Sequence, residues 1–414
     1  MFGTLKSIWQ LLLGIFLLML GHGIQGSLVG IRGVAQDFST IEISLVTSAY
    51  FFGFLIGSRL APVMITQVGH IRVFAALAST ISAVLIIYAI APLAWVWIIL
   101  RVLIGIGFSG VYVVAESWLN ESATNSNRGQ ILAIYIIVQM LGLASAQSLL
   151  NFDEDTGYFL FVLASVLVSV SFMPILLSIN PAPPYETSKP MKLAKLLEVS
   201  PLGVVGMVLL GTVFSALFGL SAVFGARVGL SIAENSLFIA MIYIGGIVSL
   251  YPIGYLSDLI DRRKLILLLS STCALTALIG GLLGHLFIPL LVVAFVIGAT
   301  TNPLYSLLIA YTNDYLDYED MPACAGRMIF LNGFGAVSGP FLVGWTMDFF
   351  GDAGFFYFIA AIMLGLSTFN IIRMQLKKLP TDYESMSYAP ISPSASPVVV
   401  EVAQEVAIEQ HTEE

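Results

Sequence analysis

Gly254-Tyr255-Leu256-Ser257-Asp258-Leu259-Ile260-Asp261-Arg262-Arg263 joins two long apolar stretches through a short charged turn. A worn copy, Pro62-Val63-Met64-Ile65-Thr66-Gln67-Val68-Gly69-His70-Ile71-Arg72, begins 192 positions earlier, also between apolar stretches. A charged turn between hydrophobic spans, present twice at this interval, marks a membrane chain built by duplication.

Composition supports this from the other end. The 414 residues are 58% hydrophobic and 10% charged, with a mean hydropathy of +0.95. Too little polar surface remains to cover a water-soluble domain, so the bilayer is the solvent. Apolar segments fall at 8–32, 43–67, 72–91, 94–120, 129–150, 156–179, 201–226, 235–257, 265–285, 287–312, 326–348 and 353–375. Each is near the ~20 residues that cross a bilayer, and backbone groups in lipid must be bonded within their own segment, so the expected fold is all-α with twelve transmembrane helices.

An even number of spans puts both termini on one side. Thirteen of the 17 Lys and Arg, among them Lys6, Arg72, Arg128, Lys195, Arg262, Arg263 and Arg373, fall on that same side, which the positive-inside rule makes cytoplasmic. The first segment is too long, and lacks a small-residue cleavage site, to be a removed signal peptide, so it is expected to be the first span. The net charge of −8 comes mostly from acidic loops and the C-terminal end and points to no nucleic-acid partner. Cys273 and Cys324 form no disulfide framework and lack metal-ligand spacing. No phosphate loop or nucleophile elbow is present, so neither an enzyme nor a cofactor is expected.

The chain divides at a Pro- and Lys-containing stretch. Residues 1–180 make one six-helix bundle, 181–200 a cytoplasmic linker, 201–378 the second bundle and 379–414 a Ser-, Pro-, Tyr- and Glu-rich tail expected to be largely disordered, with room for a short helix near 397–409. The bundles correspond in register: Gly30 and Arg32 answer Gly225 and Arg227 at an offset of 195, and Tyr112, Gly142 and Ser145 answer Tyr305, Gly335 and Ser338 at 193. Even-numbered repeats run in parallel about an axis along the membrane normal.

Gly254, Asp258, Arg262 and Arg263 resemble the loop motif of the major facilitator superfamily; the first-half copy keeps Gly69 and Arg72, with Thr66 for the acid and Gln67 for the base. Arg101-Val102-Leu103-Ile104-Gly105-Ile106-Gly107 resembles the superfamily's Arg-x-x-x-Gly-x-Gly pattern in the fourth helix. The Gly339-Pro340 pair lies in the eleventh helix, whereas the antiporter motif belongs to the fifth, which has no such pair. Ser48 to Gly57, Val68 to Phe74, Ala115 to Asn120 and Gly245-Gly246 with Tyr251 to Gly254 together resemble the YcaD-like branch, bacterial inner-membrane transporters, over residues 8–375. The resemblance implies a major facilitator fold and a small-molecule substrate held between the halves.

A buried arginine in a span must face the protein interior or a wet cavity, so Arg59 and Arg101 are candidates for the cavity wall. His22 and Gln25 of the first helix join them, with Gln139, Phe214, Asn302, Tyr305 and Asn332. No Asp or Glu sits at the centre of a span. Proton coupling would have to use His22 or Glu116, and the electropositive first-half wall favours an anionic or amphiphilic substrate. Gly69, Arg72, Glu116, Arg128, Gly254, Asp258, Arg262 and Arg263 are the candidate cytoplasmic latch, in which Asp258 would meet the N-terminus of the fifth helix beside Arg128, and Glu116 would pair with Arg128 or with the basic loop after the second helix. Arg32 and Arg227 mark the outer mouth. The expected function is secondary active transport of a small organic solute by alternating access, as a monomer in the bilayer. The alternatives are a facilitative uniporter and a transporter-fold sensor or scaffold acting through its tail.

Overall fold

A computed structural model describes residues 2–121, 128–152, 158–176, 191–376, 388–391 and 396–413. The first half contains α1 (Phe2–Ala35), α2 (Thr40–Val68), α3 (His70–Ile90), α4 (Ala94–Glu121), α5 (Arg128–Leu149) and α6 (Tyr158–Leu176). After the short α7 (Leu193–Val199) come α8 (Pro201–Gly219), α9 (Ser221–Arg227), α10 (Ile232–Leu259), α11 (Arg262–Leu283), α12 (Phe287–Asn313), α13 (Met321–Phe350) and α14 (Gly354–Leu376), and then a final helix, α15 (Pro397–Glu413). Among the described residues, eleven helices are long and apolar enough to cross a membrane, and the shorter α6 completes twelve spans once α8 and α9 are taken as one broken helix. The protein is all-helical, with two six-helix pseudo-repeats. Large apolar side chains such as Trp345, Phe349, Leu275 and Val292 stand exposed on the outside, where lipid tails would cover them.

The repeat is legible in how the helices begin and where they touch. Ser39 and Ser231, 192 positions apart, each cap a helix by accepting from the backbone N–H three residues on, while Glu42 and Glu234 reach back to the cap backbone. Gly53 of α2 and Gly105 of α4 press backbone on backbone: a Cβ at Gly105 would lie 2.1 Å from the Tyr50 carbonyl oxygen. Their repeat partners, Gly245 of α10 and Gly298 of α12, do the same, with a Cβ at Gly298 falling 2.0 Å from the Ile242 carbonyl oxygen. The pairing α2 with α4 therefore recurs as α10 with α12, and α1 with α5 as α8 with α13.

Two features depart from the sequence reading. The seventh span breaks at Leu220, which leaves the helical region at the junction of α8 and α9; Gly219 there faces Thr47 of α2, where a Cβ would come within 2.3 Å. The tail, expected to be largely disordered, is packed over its described residues: α15 lies on α4, α5 and α13, and Ala389, Ile391, Val399, Val400 and Ala403 belong to the main apolar core.

On the face opposite the termini the halves meet. Ser44 of α2 donates to the Pro340 carbonyl of α13 at 3.0 Å, Thr40 donates to Asp348 at 2.7 Å, and Gly30 of α1 sits against Val223 and Ala222 of α9.

Candidate transport cavity

A cavity of about 140 Å³ opens between the halves near the middle of the helices. His22, Gln25, Arg101, Gln139, Phe214, Asn302 and Asn332 line it, as does the broken seventh span through Gly219, Ser221 and Ala222. Tyr50, Phe54, Tyr112, Phe218 and Tyr243 supply an aromatic wall. Tyr50 and Tyr243, which sequence reasoning had not placed at the site, face it from α2 and α10; the signal available was their repeat relationship, 193 positions apart.

Among the described residues lining the cavity, Arg101 is the one Lys or Arg, and its charge is poorly neutralised. The side chain is buried; one terminal nitrogen donates to Gln25 Oε1 at 2.7 Å, and the guanidinium lies 5.5 Å from the centre of the Tyr50 ring. Its Nε has no partner, nor do Gln25 Nε2, Gln139 Oε1 and Asn302 Oδ1. Among the described residues lining the cavity there is no Asp or Glu. A buried charge without a counter-ion is costly, and Arg101 stands in that position at the cavity wall. His22 Nδ1 lies 3.1 Å from the Tyr112 hydroxyl, and its ring packs edge-on against Phe108.

Two candidates lie elsewhere. Arg59 is exposed and stacks over Phe330 of α13, 4.7 Å from the ring centre, because its place near the terminal end of α2 lets the charged head leave the core. Tyr305 is fully buried behind Phe214, its hydroxyl without a partner.

The loop motif is also arranged differently from a surface latch. Arg262, expected at the cytoplasmic surface, is fully buried and ion-paired with Asp314, the C-cap of α12, whose side chain is also covered. It donates further to Ser257 Oγ at 3.0 Å and to the Ala310 carbonyl at 3.3 Å, and lies 3.5 Å from Asp258. A guanidinium can leave water when carboxylates and carbonyls satisfy its fork of donors. Asp261 caps α11 by accepting from the Arg263 backbone N–H and holds the Arg263 side chain at 3.1 Å. In the first half, Gly69 turns the chain with φ +85°, and Arg72 is exposed. Asp258 accepts the backbone N–H of Tyr388 at 2.9 Å, and Glu116 accepts from Tyr135 Oη and the Ser396 N–H. The Arg128 side chain, named as partner to both acids, lies outside the described residues.

At the opposite face the two repeat-related arginines diverge. Arg227 reaches Asp352 at 3.0 Å, Asp348 at 3.8 Å and the Thr40 hydroxyl at 3.5 Å, tying the two halves together. Arg32 faces a small pocket within the first half, beside Tyr88 and Trp97. Cys273 and Cys324 are buried and unpaired with each other.

Two pseudo-symmetric six-helix halves around a cavity lined with unsatisfied polar groups define a multi-pass membrane transporter. The family profile of the Major Facilitator Superfamily matches residues 11–286 and 204–385, and the chain belongs to that superfamily. It is 24% identical to the uncharacterized MFS-type transporter YcaD of Escherichia fergusonii, over 86% of this chain and 93% of that protein. It is 26% identical to the protein of the same name from Salmonella paratyphi A, over 87% and 94%. Among solved structures it is similar to the nucleoside transporter NupG, as the D323A mutant, with a TM-score of 0.75 at 12% identity, covering 88% of this chain and 98% of that one. A second NupG structure matches with a TM-score of 0.68 at 11% identity, covering 89% and 99%. At such identities these structures speak for the fold alone.

Proposed function

We propose that the protein is a secondary transporter that moves a small organic anion, or an amphiphile with an anionic head, by alternating access across a bacterial inner membrane. The face carrying both termini is cytoplasmic on this reading, because most Lys and Arg gather there. The observation that carries the substrate class is Arg101: a buried guanidinium at the cavity wall, with Gln25 as its hydrogen-bond acceptor and with no acidic neighbour among the described lining residues. A carboxylate would complete its hydrogen bonding and neutralise its charge, while the aromatic wall would hold the apolar remainder. The halves would rock about this site, exposing it to each side in turn. Proton coupling, where it operates, would use His22 or Glu116.

The test is thermal stabilisation of purified protein by a panel of aromatic carboxylates and their amine analogues, followed by counterflow of the hits in proteoliposomes. Carboxylates should raise the melting temperature of the parent and not of Arg101→Gln. Equal stabilisation by the amines, or an unchanged response in Arg101→Gln, would sink the anion reading; saturable counterflow separates a carrier from a pore.

A further inference from the structure

Beyond the cavity, a second set of polar side chains in the spans bonds to a segment of the same chain. On the face carrying the termini, residues 388–391 and 396–413 lie between the two halves and bond to both. In the first half, Glu116 of α4 is fully buried; one carboxylate oxygen accepts from Tyr135 Oη at 2.6 Å and the other from the backbone N–H of Ser396 at 2.9 Å. In the second half, the Ser306 hydroxyl of α12 is paired both ways with Ile391, at 3.0 Å to its carbonyl and 2.8 Å to its N–H. Asp258 of α10 takes the Tyr388 N–H at 2.9 Å, and the Tyr388 ring covers Gly254 so closely that a Cβ there would lie 2.8 Å from it. Farther on, Gln404 of α15 donates at 3.1 Å to Asn313 Oδ1 and to the Met321 carbonyl.

Three of these contacts are made to backbone of the tail, by two carboxylates and a hydroxyl located in spans. Side-chain acceptors aimed at main-chain N–H groups recognise an extended peptide, and buried Val399, Val400 and Ala403 then anchor α15 by apolar contact. The position is informative as well. Glu116 lies one helical turn from Tyr112, and Ser306 one turn from Asn302; Tyr112 and Asn302 both line the cavity. α15 itself packs on α4 and α5 of the first half and on α13 of the second, and so lies across the cavity on the terminal face, while the opposite face is shut by Thr40, Asp348 and Arg227.

We propose that residues 388–391 together with Ser396 and α15 form a docked lid that covers the cavity from the terminal face and occupies the space into which the halves would move to close it. The lid thereby holds the carrier in one state, and the state changes when it undocks; this regulatory consequence rests on the transporter reading, whereas the covering itself does not. The site is specific for this chain's own segment, so a synthetic peptide of residues 388–413 should bind a chain that lacks it.

The test reads access rather than flux. In a Cys273→Ala/Cys324→Ala background, Ser58→Cys places a single thiol on the cavity wall, and its rate of modification by a polar maleimide is measured in nanodiscs. A chain ending at Ser387 should be modified severalfold faster than the full chain, and added 388–413 peptide should slow it again. As a variant that leaves every span and the chain length intact, Val400→Asp puts a charge at a fully buried position of α15 and should also raise the rate severalfold. Equal rates in the full chain and Val400→Asp, or a slower rate on truncation, would overturn the lid. Absence of counterflow in the earlier experiment would remove the transporter reading without touching this result.

Discussion

Arg262 and Arg101 both carry a positive charge into the interior and meet opposite surroundings. Arg262 is surrounded by Asp314, Asp258, Ser257 and a carbonyl, so its task is to hold the turn between α10 and α11 to the end of α12. Arg101 has an amide oxygen and a ring face, and its Nε is unpartnered. Removing one partner of a buried pair leaves the other charge stranded, so Arg262→Met should destabilise by about 3–5 kcal/mol, and Arg262→Met/Asp314→Leu should recover much of that loss. Arg101→Met strands no carboxylate and should leave the unliganded melting temperature unchanged or higher, while abolishing stabilisation by carboxylates. Thermal unfolding of the three variants checks both; equal destabilisation by Arg101→Met and Arg262→Met would contradict the distinction. The sequence marks Arg101 as costly and places Arg262 in a cytoplasmic loop; that Arg262 is also interior emerged only with Asp314, 52 positions from it in the chain.

At the scale of the element, glycine contacts determine which helices pair. The Cβ of Gly105→Ala or Gly298→Ala would meet backbone oxygen at 2.1 and 2.0 Å, and backbone cannot rotate away as a side chain can. Each substitution should cost about 1–3 kcal/mol through forced separation of α4 from α2 or of α12 from α10. Gly365→Ala, which meets nothing within 4 Å, should instead be neutral or stabilise by up to about 1 kcal/mol through helix propensity; melting temperatures of the three proteins decide this. Most helix limits were legible, because hydropathy ends where the capping residues begin. The break at Leu220 was not, since no proline marks it and Gly219 acquires its role only against Thr47 on another helix.

Across the whole molecule, the halves are joined at the face opposite the termini and separated by the lid at the other. Opening that joined face requires Thr40 and Asp348 to part. In a cysteine-free background, an oxidative cross-link between Thr40→Cys and Asp348→Cys is expected to stop substrate counterflow, with recovery on reduction. Undiminished exchange by the cross-linked protein would show that this seam is not a gate. The candidate site was partly legible at this scale: His22, Gln25, Arg101, Gln139, Phe214, Asn302 and Asn332 line the cavity, whereas Arg59 and Tyr305 do not. The difference arises because a helix residue's depth can be read from the chain but its direction depends on neighbours.

Hydropathy, charge placement and the register of two repeats determined by themselves that this is a duplicated twelve-span membrane protein, because those signals are local and repeat along the chain. The duplicated loop at Pro62 and Gly254 and the pattern at Arg101 determined its superfamily. Tertiary structure decided which polar groups share a cavity, that Arg262 is an interior strut, which face is closed, and that the tail is docked. The tail shows why: its Ser and Pro content reads as disorder, and the order of its described residues comes from Glu116, Asp258 and Ser306, which lie up to 280 positions from the tail residues they bond and are brought together only by the packed spans.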